Sequence, residues 1–149
     1  MLDFAKITVF FDEYTAHYKD FLDFEYKKAD MITKNEIEEL SKALSTEQAL
    51  IMKTNSYEGR RAKLLGGDSE LTFERLVEKA PEHYKNKLEA SHKEMSEMIF
   101  KIKEINDRIG VIVAARLKQI QKRTAELDTY DDKGVLNRKS ATRAINYNA

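Results

Sequence analysis

The residues able to do chemistry are few, and their spacing does not assemble them. The chain has three histidines, His17, His83 and His92, and no cysteine. Without cysteine there is no disulfide, no thiolate nucleophile and no Cys-based metal site. His83 and His92 are too far apart to share a helix face, as an i, i+4 metal pair would. All three read as exposed or half-buried surface side chains. Glu82 is adjacent to His83, whereas a di-iron bundle spaces its ligands as Glu-x-x-His. Serines and threonines are scattered, with no strained turn of the G-x-S-x-G kind. Gly66-Gly67 lacks the following Lys-Ser/Thr of a phosphate-binding loop. No acid, base, nucleophile or metal set is assembled, so the chain reads as a non-enzyme that needs no cofactor and no metal.

Charge narrows the partners. Lys101, Lys103, Arg108, Arg116, Lys118, Lys122 and Arg123 make a basic run, but Glu104, Asp107 and Glu126 interrupt it. The 26 basic and 26 acidic residues of the chain cancel. A solvated helix face is favoured over a nucleic-acid surface, because no net field draws a polyanion. No apolar run approaches the ~20 residues of a membrane span, and MLDFAKITVFFDEY does not read as a signal peptide. No nucleic acid and no membrane insertion are expected.

The elements that carry these residues are long helices. From Pro81 to Leu127 apolar residues recur at steps of three and four: Tyr84, Leu88, Met95, Met98, Ile102, Ile105, Ile109, Ile112. The row goes on through Val113, Leu117, Ile120, Thr124 and Leu127. That is helical periodicity, and the helix would be roughly 70 Å long. Such a helix needs partners for its stripe. Residues 1–32 form a first helix with Ile7, Phe10, Phe11, Tyr14, Tyr18, Phe21 and Phe24 at helical spacing, read as core, with an exposed contact surface over part of the stripe as the alternative. Thr33-Lys34-Asn35-Glu36 has the form of a capping box. A second helix, 36–65, pairs apolar residues about every seventh position: Ala43 and Leu44, Leu50 and Ile51, Tyr57, Leu64 and Leu65. Gly59 inside it reflects either a tight crossing or simple tolerance. Gly66-Gly67-Asp68-Ser69 closes that helix. Thr72 caps a short helix over 73–79, and Pro81 suits the first turn of the long one.

The predicted fold is all-α: an up-and-down antiparallel bundle of long helices over 1–127, with a mobile tail over 128–149. Tyr130 is one aromatic in a polar stretch, either a docking residue or a residue with no role. Asn106 beside Ile105 is either a surface amide or a buried one that sets register.

The order of these features resembles the FlgN-type flagellar export chaperones. EQALIMKTNSYEGRRAKLLG (47–66) resembles that family's leucine-rich helix with paired arginines and a closing Leu-Gly. LTFERLVEKAP (71–81) resembles its short connector. IKEINDRIGVIVAARL (102–117) resembles a Leu-Asn-x-x-Asn-x-x-Leu-Leu segment, with Ile105 for the leucine and Ile109 for the second asparagine. TYDDKG (129–134) resembles a Tyr-x-x-x-Gly tail element. The aromatic first helix departs from the family's leucine-rich one.

The resemblance implies a cytoplasmic escort. It would bind the C-terminal helical segment of hook-associated (hook–filament junction) proteins and deliver them to the flagellar export gate. The expected client-binding face is Ile105, Asn106, Ile109, Ile112, Val113, Leu117 and Ile120, with Tyr130 carried over as the export-gate docking residue. The alternative reading is a self-associating helical module without a client, in which a homodimer covers the same face.

Overall fold

The computed structural model describes residues 2–67 and 71–130, with side chains as far as 127. Four helices follow in order: α1 (Phe4–Thr33), α2 (Ile37–Leu64), α3 (Phe73–Lys79) and α4 (Glu82–Tyr130). There is no strand among the described residues. The all-α expectation and the order of three long helices and one short are what the chain adopts. The expected tail from Asp131 onward, and Asp68-Ser69 of the expected turn, lie outside the described residues. Contacts divide the chain into one unit ending at Asn106 and a second beginning at Asp107.

In the first unit the helix ends follow from local chemistry. Asp3 accepts from the Lys6 N–H at 3.2 Å and starts α1. The capping box expected at Thr33–Glu36 does not form. Thr33 is still helical, and its hydroxyl donates to the Ala29 carbonyl at 2.9 Å. Glu36 precedes α2 without a side-chain cap hydrogen bond. The turn is made instead by Asn35, at φ 58°. Its N–H donates to Ile32 O at 3.1 Å, and the Glu36 N–H donates to Met31 O at 2.9 Å. This Schellman closure uses the last carbonyls of α1 and asks only for a residue tolerant of left-handed backbone, as asparagine is. The end of α2 repeats it with Gly66 at φ 75°, the Gly67 N–H reaching Ala62 O at 2.8 Å. Thr72 caps α3 as expected, accepting from the Arg75 N–H at 3.2 Å. Pro81 directly precedes α4, and its carbonyl accepts from Tyr84 and Lys85.

Cross-helix contacts set direction. Along α1, Glu13 pairs with Arg60, Tyr14 with Glu58, His17 with Thr54, and Lys28 with Glu47. Partner numbers fall as α1 advances, so α1 and α2 are antiparallel. Phe4 stacks on Tyr84, and Asp12 accepts from Ser91. Those numbers rise together, so this part of α4 runs parallel to α1. The order is up, down, up, with α3 in the second connection.

The main core lies at the α3 end. Ile7, Phe10, Phe11 and Tyr14 of α1 meet Leu65, Leu71, Leu76, Ala80 and Leu88. Tyr14 stacks on Tyr57 at 4.9 Å between ring centroids, and Phe11 meets Phe73 edge-on at 5.7 Å. Each buried ring or branched aliphatic contributes about 1.5–3 kcal/mol. Arg60, paired with Glu13, lays its guanidinium 5.4 Å from the Phe10 ring and 5.2 Å from the Tyr57 ring. It is a lid on the aromatic core, worth about 0.5–1 kcal/mol through each ring. The core reading of the aromatic stripe therefore holds for the first half of α1. Further on, Phe21 and Phe24 are half-buried and Tyr26 is exposed. The paired positions of α2 divide: Ala43 is buried and Leu44 exposed, Leu50 half-buried and Ile51 exposed. An added Cβ at Gly59 meets nothing within 4 Å, so no tight crossing explains that glycine.

Candidate functional site

Among the described residues apolar surface stands open in each unit. The first lies in the unit ending at Asn106. Tyr18 and Phe21 of α1, Ile51 and Thr54 of α2, and Ile99 and Ile102 of α4 line a cavity of about 260 Å³. Ile51 is 40% exposed and Ile99 42%.

Polar groups are built into the wall of the same region. His17, expected at the surface, is buried, because it lies on the same helix face as the core residues Phe10 and Tyr14. The Thr54 hydroxyl donates to Leu50 O at 3.0 Å, so its single proton is used. It therefore accepts from His17 Nε2–H, 2.7 Å away, and the ring is the Nε2–H tautomer. His17 Nδ1 has no hydrogen-bond partner. Burial pushes the His17 pKa down, and the Lys53 charge pushes the same way against a smaller opposing effect of Asp20.

One turn beyond Phe21, Glu25 is only 1% exposed. Lys28 Nζ sits 3.0 Å from Glu25 Oε2 and also pairs with Glu47. Burial pushes the Glu25 pKa up, with the nearby Glu47 carboxylate adding to it, while Lys28 opposes. Burial alone would lower the Lys28 pKa, but its bonds to Glu47 and Glu25 outweigh that and raise it. One cation thus serves two carboxylates. Nothing in the sequence pattern marked this trio. The only signal was Glu25 lying a helical turn after Phe21 on the buried side.

The second open surface is on α4 from Asp107 onward. Of the residues expected to bind a client, Ile105 and Ile109 are buried, at 5% and 9% exposure. Ile112 and Leu117 are half-buried, and Asn106, Val113 and Ile120 are exposed. Ile105 and Asn106 belong to the first unit and the other five to the second. Asn106 is thus a surface amide. Tyr130 is the last residue of α4, and its side chain lies outside the described residues. Of the cavity residues, Phe21 and Ile51 stand in the apolar rows expected of α1 and α2, whereas the periodicity did not mark Ile99.

Among the described residues no group of three or more His, Asp or Glu side chains could hold a metal ion. No helix among them is long and apolar enough to cross a membrane. The description FlgN protein matches residues 1–139 of the chain. The chain belongs to the FlgN family. No curated protein and no solved structure matches it. FlgN proteins are flagellar export chaperones, which places this chain in flagellum assembly and protein export. A chaperone of this class works by contact. The open apolar faces of the helical bundle offer contact surface.

Proposed function

We propose that this FlgN-family chain binds the C-terminal helical segment of hook-associated proteins in the cytoplasm, keeps them unassembled and delivers them to the export gate. It does so without cofactor, and not as an enzyme. The observation that supports this reading most is the exposure of Val113, Ile120 and Leu127 at 37%, 45% and 68% on one long helix. Large apolar side chains repeated along an open helix are what an amphipathic client helix needs for cover. A junction-protein end is itself a helix with an aggregation-prone face, and the chaperone substitutes for its partner in the assembled filament.

The stretch from Ile105 to Ile120 is the proposed client contact, with its exposed members, Asn106, Val113 and Ile120, touching the client. Residues 128–149 carry the second function, with Tyr130 as the export-gate docking residue. The test mixes the purified chain with the C-terminal ~40 residues of a hook-associated protein from the same source, a span of about eleven helical turns. Binding at micromolar concentration is expected, and its absence overturns the reading.

A further inference from the structure

Helix α2 carries two rows, and only one of them meets α1. Glu47, Thr54 and Tyr57 pack on α1 and are half-buried. Beside that stripe stand Ile37, Leu44 and Ile51, each seven residues from the last. Ser41, Gln48 and Asn55 lie between them, at steps of four and three. All six are exposed, Ile37 at 70% and Leu44 at 56%. This is the spacing of a helix that packs along another helix, with aliphatics at one seam position and a hydroxyl or amides at the other.

Charge sets the row apart. None of the six is charged, in a chain that is 35% charged. Ser45 and Met52, which follow Leu44 and Ile51 on the outer flank, are uncharged as well. On the inner flank Glu47 is already paired with Lys28. The next position of the row is Glu58, which accepts from the Tyr14 hydroxyl, so the row ends at Asn55.

We infer that this row joins two copies of the chain through α2, side by side, parallel and in register. The polar positions decide the occupant. A hydroxyl and an amide each donate and accept. In-register copies therefore give Ser41, Gln48 and Asn55 each its own twin as a hydrogen-bond partner. Ile37, Leu44 and Ile51 meet their twins in the alternate layers. A partner helix with an unbroken apolar face leaves the same three polar groups against hydrocarbon. An antiparallel copy sets each aliphatic against a polar residue, because the two seam positions then face each other. The inference goes beyond the chaperone reading and uses none of the residues proposed to hold the client.

The experiment uses the full chain. Sedimentation equilibrium across the micromolar range should show a reversible balance of monomer and dimer, since a contact this short is small for a stable interface. The variant L44E/I51E should weaken association about a hundredfold, about tenfold for each apolar layer lost. Both side chains are exposed in the single chain, so circular dichroism should show unchanged helix content. The chain has no cysteine, which allows S41C, Q48C and N55C to be tested one at a time. Parallel copies in register place each new thiol opposite its twin. All three variants should form a disulfide-linked dimer on mild oxidation, and K42C, away from the row, should not. Cross-linking at only one of the three indicates an antiparallel contact and overturns the inference. A chain that stays monomeric overturns it too, as does a dimer that L44E/I51E leaves intact. So does a hook-associated segment that binds the unaltered chain but not L44E/I51E, because the row then belongs to the client.

Discussion

Tyr14 donates its phenolic hydrogen to Glu58 at 2.5 Å, joining the buried face of α1 to the exposed flank of α2. Burial first, and then the bonds to Glu58 and Tyr18, push the Tyr14 pKa up, so the phenol stays protonated and remains a donor. Its ring meanwhile stacks on Tyr57. The two roles separate by substitution. Tyr14→Phe keeps the stack and frees a carboxylate that water can reach, so the expected loss is about 1 kcal/mol. Tyr14→Ala empties the core and should cost about 3–5 kcal/mol. Urea unfolding followed by circular dichroism measures both, and equal losses would show that the hydrogen bond, not the ring, carries the contact.

Glycines separate space from backbone angle. Neither Gly59 nor Gly66 has a neighbour within 4 Å of an added Cβ. Gly59 lies inside α2, so Gly59→Ala should stabilise by about 1 kcal/mol. Gly66 has φ 75°, and Gly66→Ala should destabilise by about 1–2 kcal/mol. Opposite shifts of the melting temperature are the expected result.

Two buried groups make stability depend on pH in opposite senses. The folded Glu25 pKa is raised, so its contribution is complete below the ordinary carboxylate value of 4.5 and is lost as pH rises through the raised value. The folded His17 pKa is lowered from 6.5, so its contribution is complete above that value and is lost as pH falls through the lowered one. Glu25→Gln should raise the melting temperature on the alkaline side and flatten the curve there. His17→Gln should remove the decline on the acidic side. A Glu25→Gln curve that parallels the unaltered protein at every pH would show that Glu25 is not the group titrating.

The proposed division of labour along the C-terminal part of the chain is tested by Tyr130→Ala. Client binding should be unchanged while attachment to the export gate falls, read by pull-down with each partner separately. Loss of both together would show that Tyr130 is not a separate docking residue.

Much of the fold was legible because its determinants are local. Thr72, Pro81 and the Gly66-Gly67 stop act within a turn or two of themselves, and the structure has each where expected. The break after α1 was legible only in position. Thr33 and Glu36 have the types of a capping box, but the chain closes on Asn35, because a left-handed asparagine satisfies the preceding carbonyls without either side chain. The expected client-binding residues stood as a list along one helix. The structure sorts them by cover, with Ile105 buried at 5% and Ile120 exposed at 45%.

By itself the sequence determined the helices, their order and the family, since period, composition and motif order are properties of a string. Only the tertiary structure decided which member of each apolar pair faces inward, why His17 is neutral beside Thr54, and that Glu25, Lys28 and Glu47 meet. It also decided where α4 exchanges its buried row for an open one. The reason is physical. A stripe states that a residue wants cover, but cover comes from residues distant in the chain, and their positions depend on packing across helices.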